Sequence, residues 1–280
     1  MIELKVETKK INTQNKKIGV IVFNYNNNSD LLGLTCNEWL KIATINYETK
    51  FIDYDIKLSL ENQIISNLTS CDITVVLFAF NPLLTSEDIA FYIDYLSYKD
   101  LYVVKLPYGY VFKTDYIKRT KSFKEPIMFN GIANEFLKVD NKQNFDVAYA
   151  VLKERIINNH IKNGVNFIDT SSNIIHYFVE IQSGVTIYPF NLITGKTKIL
   201  SGVTLKDGNT IENSLLDSNC VIAKSVIRNS KIGSGTIVSP FNTIINCVIE
   251  NDCLIKSYNQ LENCKIEKQS TLESFNNIGN

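Results

Sequence analysis

An α/β domain followed by a parallel β-solenoid is the fold class the sequence predicts. Three patterns predict it: continuous apolar runs in the first half, a helical stretch in the middle, and a six-residue apolar beat through the second half. The runs "IGVIVFN" at 18–24, "ITVVLFAF" at 73–80 and "LYVVKL" at 101–106 lack the alternation of half-exposed strands, as strands covered on both faces do. Between the last two, Pro82 and Thr85 mark a turn and a helix cap, and Ile89, Ile93 and Leu96 recur at helical spacing. Strand, helix, strand in that order implies a parallel layer, and the first domain is placed at residues 1–142.

Residues 143–164, "QNFDVAYAVLKERIINNHIKN" closed by Gly164, place apolar residues at helical spacing and are read as a linker helix. The beat follows, over residues 165–280. Branched apolar residues return every six positions as Ile175, Ile181, Ile187, Ile193, Ile199, Leu205 and Ile211. With an occasional five-residue step they continue as Leu216, Ile222, Ile227, Ile232, Val238, Ile244, Ile249, Ile255, Leu261, Ile266 and Leu272. One hexad per side of a triangle makes these positions about six coils of a β-helix.

The register has an internal test. The residues two places before each apolar position sort by side into Asn173, Asn191, Asn209, Ser225, Asn242 and Asn259, an amide ladder along the axis. The other two sides carry small residues, Cys220, Cys247, Cys253 and Cys264 among them. These four cysteines are therefore corner fillers rather than a metal or redox cluster, and Cys247 and Cys264 stack within disulfide reach as free thiols. "GKT" at 195–197 lacks the leading glycine of a phosphate-binding loop, since Phe190 stands there. His160 and His176 have no carboxylate or nucleophile at local spacing and are read as surface residues.

Composition narrows the function classes. Lys+Arg and Asp+Glu are 29 each, which leaves no basic field for nucleic acid. The N-terminal "MIELKVETKKINTQNKK" has no apolar core and no run approaches a membrane span, so neither export nor a membrane partner is expected. Six cysteines without a C-x-x-C pair suit a reducing, cytoplasmic setting.

The segment "VDNKQNFDVAYAVLKERIINNHIKNGVNFID" followed by hexads resembles the domain junction of the bacterial bifunctional UDP-N-acetylglucosamine pyrophosphorylase / glucosamine-1-phosphate N-acetyltransferase family. Glu154, Arg155, Ile156, His160, Gly164 and Val165 match its helix pattern, and "TIYPFNLITGKTKI" matches its first coils. The resemblance implies a reduced Rossmann-like nucleotidyltransferase-type domain, a left-handed parallel β-helix of hexapeptide repeats, and a homotrimer assembled through that β-helix.

The motifs that carry the family's chemistry are altered. Its glycine-rich phosphate loop L-A-A-G-x-G-T-R-M is here "VFNYNNNSDLL", leaving Asn24, Asn26, Asn27 and Asn28 as remnants without glycine or cation. "LFAFNPLLT" puts Phe80 where the family's magnesium-binding aspartate belongs, Leu106 replaces an asparagine before "GYVF", and Asp140 in "VDNK" stands at a metal-side asparagine. A buried Phe80 implies that Phe80→Asp loses about 2–4 kcal/mol. In the acetyltransferase half, Ile245 replaces an arginine, Glu262 a substrate-binding lysine, Ser274 the catalytic histidine and Asn277 a tyrosine, and the chain stops before the coils that would hold acetyl-CoA. That activity is expected to be lost, and no catalytic residue is assigned.

Two functions stay open. The chain is a non-catalytic trimer kept for binding a sugar nucleotide or a partner protein, or an active, divergent sugar-1-phosphate nucleotidyltransferase. The second would hold Mg2+ through Asp140 with Asp53 or Asp55 in "FIDYDIK".

Overall fold

A computed structural model describes residues 16–26, 28–124, 126–129 and 136–279. The chain divides into two compact units, residues 1–148 and 149–280.

The first unit is built on a six-stranded sheet. Its strands are β1 (Ile18–Phe23), β2 (Glu48–Ile52), β3 (Ile73–Phe78), β4 (Val103–Leu106), β5 (Gly109–Lys113) and β6 (Ile127–Met128), in spatial order β2-β1-β3-β5-β4-β6. The expected all-parallel layer is corrected at one strand, because β5 runs antiparallel to both β3 and β4. Only Pro107 and Tyr108 separate β4 from β5, too few residues for a crossover, so the chain must reverse as a hairpin.

Alternation along the strands explains the apolar runs. Val20 and Val22 of β1 join one core with Val75, Leu77, Ile89, Tyr92, Ile93 and Leu96, while Ile21 and Phe23 join the opposite core with Val76, Phe112 and Ile117. Both faces are thus covered, α1 (Cys36–Ala43) and α3 (Ser86–Tyr98) packing on the first and α2 (Leu60–Ser66) and α4 (Thr114–Thr120) on the second. Thr85 starts α3 with a full capping box: its hydroxyl accepts the Asp88 N–H while the Asp88 carboxylate accepts the Thr85 N–H. Thr35 and Glu38 do the same for α1.

Helix α5 (Lys142–Lys162) crosses the division at residue 148 and ends at Gly164, whose φ of 86° lets the chain turn away. His160 on this helix is buried, contrary to the surface position read from the sequence, and burial lowers its pKa.

The second unit is a left-handed parallel β-helix. Its described strands run from Asn166–Phe167 to Asn277–Ile278 and stack into parallel sheets of seven, seven and six strands. That is close to seven coils, one strand more at each end than the six-coil reading: Phe167 precedes Ile175, and Ile278 follows Leu272. The inward residues from Ile175 to Ile255 are buried almost without exception at zero exposure.

The amide ladder is continuous. The Oδ1 atoms of Asn173, Asn191, Asn209, Asn242 and Asn259 each accept the backbone N–H of the next rung, at 2.8–3.1 Å, and the Ser225 hydroxyl fills the gap by accepting Asn242 N–H at 3.2 Å. A second column passes from Thr197 through Ser214 and Ser230 to Cys247 in the same way. The Cys247 and Cys264 sulfurs lie 3.3 Å apart as unbridged thiols. Phe241, Tyr258 and Phe275 form an exposed ring stack at one corner, at left-handed backbone angles near 66°.

Candidate functional site

In open α/β sheets, ligands bind beyond the carboxyl ends of the strands. At that edge of the first unit, β1 ends in Phe23 and Asn24, β2 in Ile52 and Asp53, β3 in Phe78, Ala79 and Phe80, and β4 in Leu106 before the Pro107–Tyr108 turn. The ends are laced together. Asn24 N–H donates to Ile52 O and Ala79 N–H to Phe23 O, at 2.8 and 2.9 Å. Val139 N–H donates to Phe80 O at 2.9 Å, which fixes the Lys138–Asp140 segment beside β3.

Aromatic rings line what this lacing creates. Phe78 stacks on Phe23 at 5.0 Å and on Phe80 at 5.4 Å; Tyr108 meets Phe80 edge-on at 4.8 Å and Tyr25 does so at 6.0 Å. The Lys138 ammonium lies over the Phe80 ring, 5.7 Å from its centre, and pairs with Asp140 at 3.0 Å. That pairing holds the Asp140 carboxyl below the usual carboxylate range and raises Lys138. A cleft of about 330 Å³ opens here, walled by Phe78, Phe80, Tyr108, Tyr110, Lys105 and Lys138. Lys105 forms no ion pair with any described residue.

Of the expected phosphate-loop remnants, Asn24, Asn26 and Asn28 do not line this cleft. Asn24 donates its amide to Asp53 at 2.8 Å, and Asn37 clamps Tyr25 by accepting its N–H and donating to its carbonyl. Asn26 and Asn28 are exposed, and Asn27 lies outside the described residues. Leu106 is buried in the core below.

The described residues of this edge do not suit a divalent cation. Phe80 offers no ligand, Asp140 is committed to Lys138, Asp53 to Asn24, and Asp55 caps the turn at Lys57. No group of three potential metal-ligating side chains occurs among the described residues. Phe80 is half-buried, and the Lys138 ammonium beside it would meet a carboxylate placed there. The 2–4 kcal/mol expected for a buried unpaired charge therefore falls. Phe80→Asp should cost roughly 1–2 kcal/mol, through lost ring contacts, and a urea melt followed by the fluorescence of Trp39 checks it.

In the β-helix, Ile245 and Glu262 are register neighbours on adjacent coils, and Asn277 lies opposite Gln260 on the coil beyond. Ser274 occupies the turn just before that strand. This cluster contains no imidazole, since His160 belongs to α5 and His176 to the first coil. Serine cannot take a proton near neutral pH, and Glu262 repels a sugar phosphate.

Sequence reasoning missed Lys105, Tyr108 and Lys138. The available signal was the recurrence of aromatic and lysine residues just past apolar runs, in "FAFNP", "KLPYGY" and "FLKVD".

Comparison with known proteins matches residues 197–280 to the family described as GlmU-like, C-terminal hexapeptide. The bifunctional protein GlmU of Clostridium botulinum is 36% identical over 134 residues, 48% of this chain and 29% of that protein. GlmU of Clostridioides difficile is 31% identical over 132 residues. The chain thus matches under a third of the length of these relatives. Among solved structures, PerB from Caulobacter crescentus in complex with CoA and GDP-perosamine is 12% identical, covering 89% of this chain and 91% of that one, with a TM-score of 0.34.

Proposed function

Taking as premise that this chain is a divergent member of the GlmU family, alike over its C-terminal half, we propose that it works by binding rather than by turnover: a cytoplasmic homotrimer whose first unit takes a sugar nucleotide. One observation carries the reading. Where metal-dependent nucleotidyl transfer needs carboxylates, the carboxyl edge presents Phe80, Tyr108, Lys105 and a Lys138–Asp140 pair; the rings suit a flat ligand, Lys105, which pairs with no described carboxylate, suits an anionic one, and the edge is poorly suited to magnesium. Acetyl transfer is absent in this reading because neither Ser274 nor Glu262 can do the work of the residues they replace.

The outward faces of the β-helix support self-association. The six-stranded sheet carries Glu180, Lys198, Lys231 and Lys265, with ion pairs such as Lys198–Glu180. The other two sheets present outward Ile174, Leu192, Val221, Val226, Ile237 and Leu254 among threonines and the Arg228–Glu212 ion pair, and the ring stack lies at the corner between them. Branched apolar residues set among polar ones on an outward face suit contact with a second copy of the chain. Light scattering at micromolar concentration should return three times the 31.9 kDa chain mass; a monomer mass would contradict the assembly.

A thermal-shift panel tests the binding. UTP, UDP-N-acetylglucosamine and other sugar nucleotides, each with and without magnesium, should include at least one that raises the unfolding temperature by a few degrees at about a hundredfold excess over its dissociation constant. A panel without any shift would overturn the reading. No helix among the described residues is long and apolar enough to cross a membrane.

A further inference from the structure

We propose that the cleft at the carboxyl edge reads the nucleoside diphosphate portion of its ligand without a metal ion and leaves the sugar outside. This deepens the sugar-nucleotide reading above and rests on it.

Three features of the cleft carry the inference. The first is the absence of competition for charge. Lys138 is already neutralised by Asp140, whereas Lys105, half-buried on β4 and facing the same cleft, has no anionic partner among the described residues. A cation held part-way out of water without a counter-ion favours an incoming anion, and a phosphate oxygen is the group that answers it. With no set of magnesium ligands among the described residues of this edge, the neutralising falls to a lysine. Lysine serves that role as a point charge.

The second feature is the wall. Tyr108 stands edge-on to Phe80 and is 37% exposed, so ring surface remains open on the cleft side. Phe80 stacks on Phe78, which stacks in turn on Phe23, and the Pro107–Tyr108 turn is fixed by Gly109 against the β3 backbone. A rigid aromatic wall beside a cation suits a planar base attached to a phosphate, because stacking requires a π-face and little ordering of the protein.

The third feature is size. At about 330 Å³ the cleft sits at the low end of small-molecule sites. It accommodates a base and its neighbouring phosphates, but a complete sugar nucleotide would project beyond the rim. The sugar then contributes little, and the site discriminates by nucleotide rather than by sugar.

Titration calorimetry on the full chain tests this with UDP and UDP-N-acetylglucosamine, each in EDTA and again with magnesium. The two ligands should bind within about threefold of one another, and magnesium should change either affinity by less than about twofold. Lys105→Gln should weaken both by about tenfold, the loss of one charge-assisted contact. Tyr108→Ala should weaken both by about fivefold or more, since base stacking is lost. Tyr102→Ala, which removes an exposed ring elsewhere on the unit, should leave both unchanged. Unchanged Trp39 fluorescence in each variant shows that it has folded. Binding that requires magnesium, that is unaffected by Lys105→Gln, or that is tenfold tighter for the sugar nucleotide than for UDP would overturn the inference while leaving the sugar-nucleotide reading intact. Absence of binding by either ligand, with a shift for no other sugar nucleotide, would overturn both.

Discussion

Gly109→Ala should destabilise the first unit by about 3 kcal/mol or more, a large share of what holds a domain folded. Gly109 sits at φ +129°, where side chains are rarely tolerated, and a Cβ there would lie 2.0 Å from the Val76 carbonyl oxygen and 3.0 Å from its carbon. Both obstacles are backbone, in the middle of β3, and relieving them means breaking the β3–β5 ladder that pairs Val76 with Tyr110. Gly208→Ala provides the contrast. It also has positive φ, at 73°, but its Cβ would meet only Lys224 methylenes at 3.6 Å, so only the conformational term of about 1 kcal/mol applies. Trp39, the single tryptophan, is packed in the first unit and reports on it alone in a urea titration. A Trp39 midpoint for Gly109→Ala equal to that of the unaltered protein would refute the account of the hairpin.

Asn209→Leu should cost the β-helix about 3 kcal/mol. The Asn209 amide donates to Asn191 Oδ1 at 2.8 Å and to the part-buried Lys206 O at 2.7 Å, and its Oδ1 accepts the Ser225 N–H at 3.0 Å; the first and last of these bonds are buried. Leucine fills the space but leaves the Ser225 N–H and the Lys206 carbonyl unsatisfied, each at roughly 1–3 kcal/mol. Ser225 shows what a smaller substitution keeps: its hydroxyl still accepts the N–H of the next rung. Asn209→Ser should accordingly lose less than half as much. Far-UV circular dichroism against urea measures both, and equal midpoints for Leu and Ser would show that the ladder contributes no more than volume.

These two positions also mark what the sequence makes legible. The β-helix was readable because each hexad projects one branched residue inward, so the period survives any variation at the corners. Its end rungs were missed for local reasons. Phe167 is aromatic, and the loop before Ile175, where Asp169 accepts from Ser171 and Ser172, interrupts the beat. Ile278 follows Asn277 in a stretch whose outward residues are exposed and, Phe275 apart, polar. In the first unit, β1, β3 and β4 announced themselves as apolar runs, whereas β2 lies at the sheet edge and is half-exposed, so "ETKFI" carries no such signal. Strand direction is not written in an apolar run at all. The clue to the reversal of β5 was the short Pro107–Tyr108–Gly109 turn, and Gly109 is the residue that turn cannot replace.

The cleft was the least legible part. Family resemblance singled out Phe80 and Asp140 one at a time, as positions where something had been exchanged. That Phe80, Tyr108 and Lys138 converge, and that Asp140 is occupied by Lys138, follows from hydrogen bonds between chain segments some sixty residues apart, such as Val139 N–H to Phe80 O. No local spacing encodes such convergence.

The central claim is that this edge holds a nucleotide without transferring it. A radiometric assay of pyrophosphate release from UTP and N-acetylglucosamine-1-phosphate, with magnesium and across pH 6–9, bears on it most directly. The account predicts no release above a heat-denatured control, for the unaltered protein and for Phe80→Asp alike, because one restored carboxylate replaces neither the missing phosphate loop nor its arginine. Release that grows in proportion to the concentration of the unaltered protein would contradict it and return the chain to the nucleotidyltransferases.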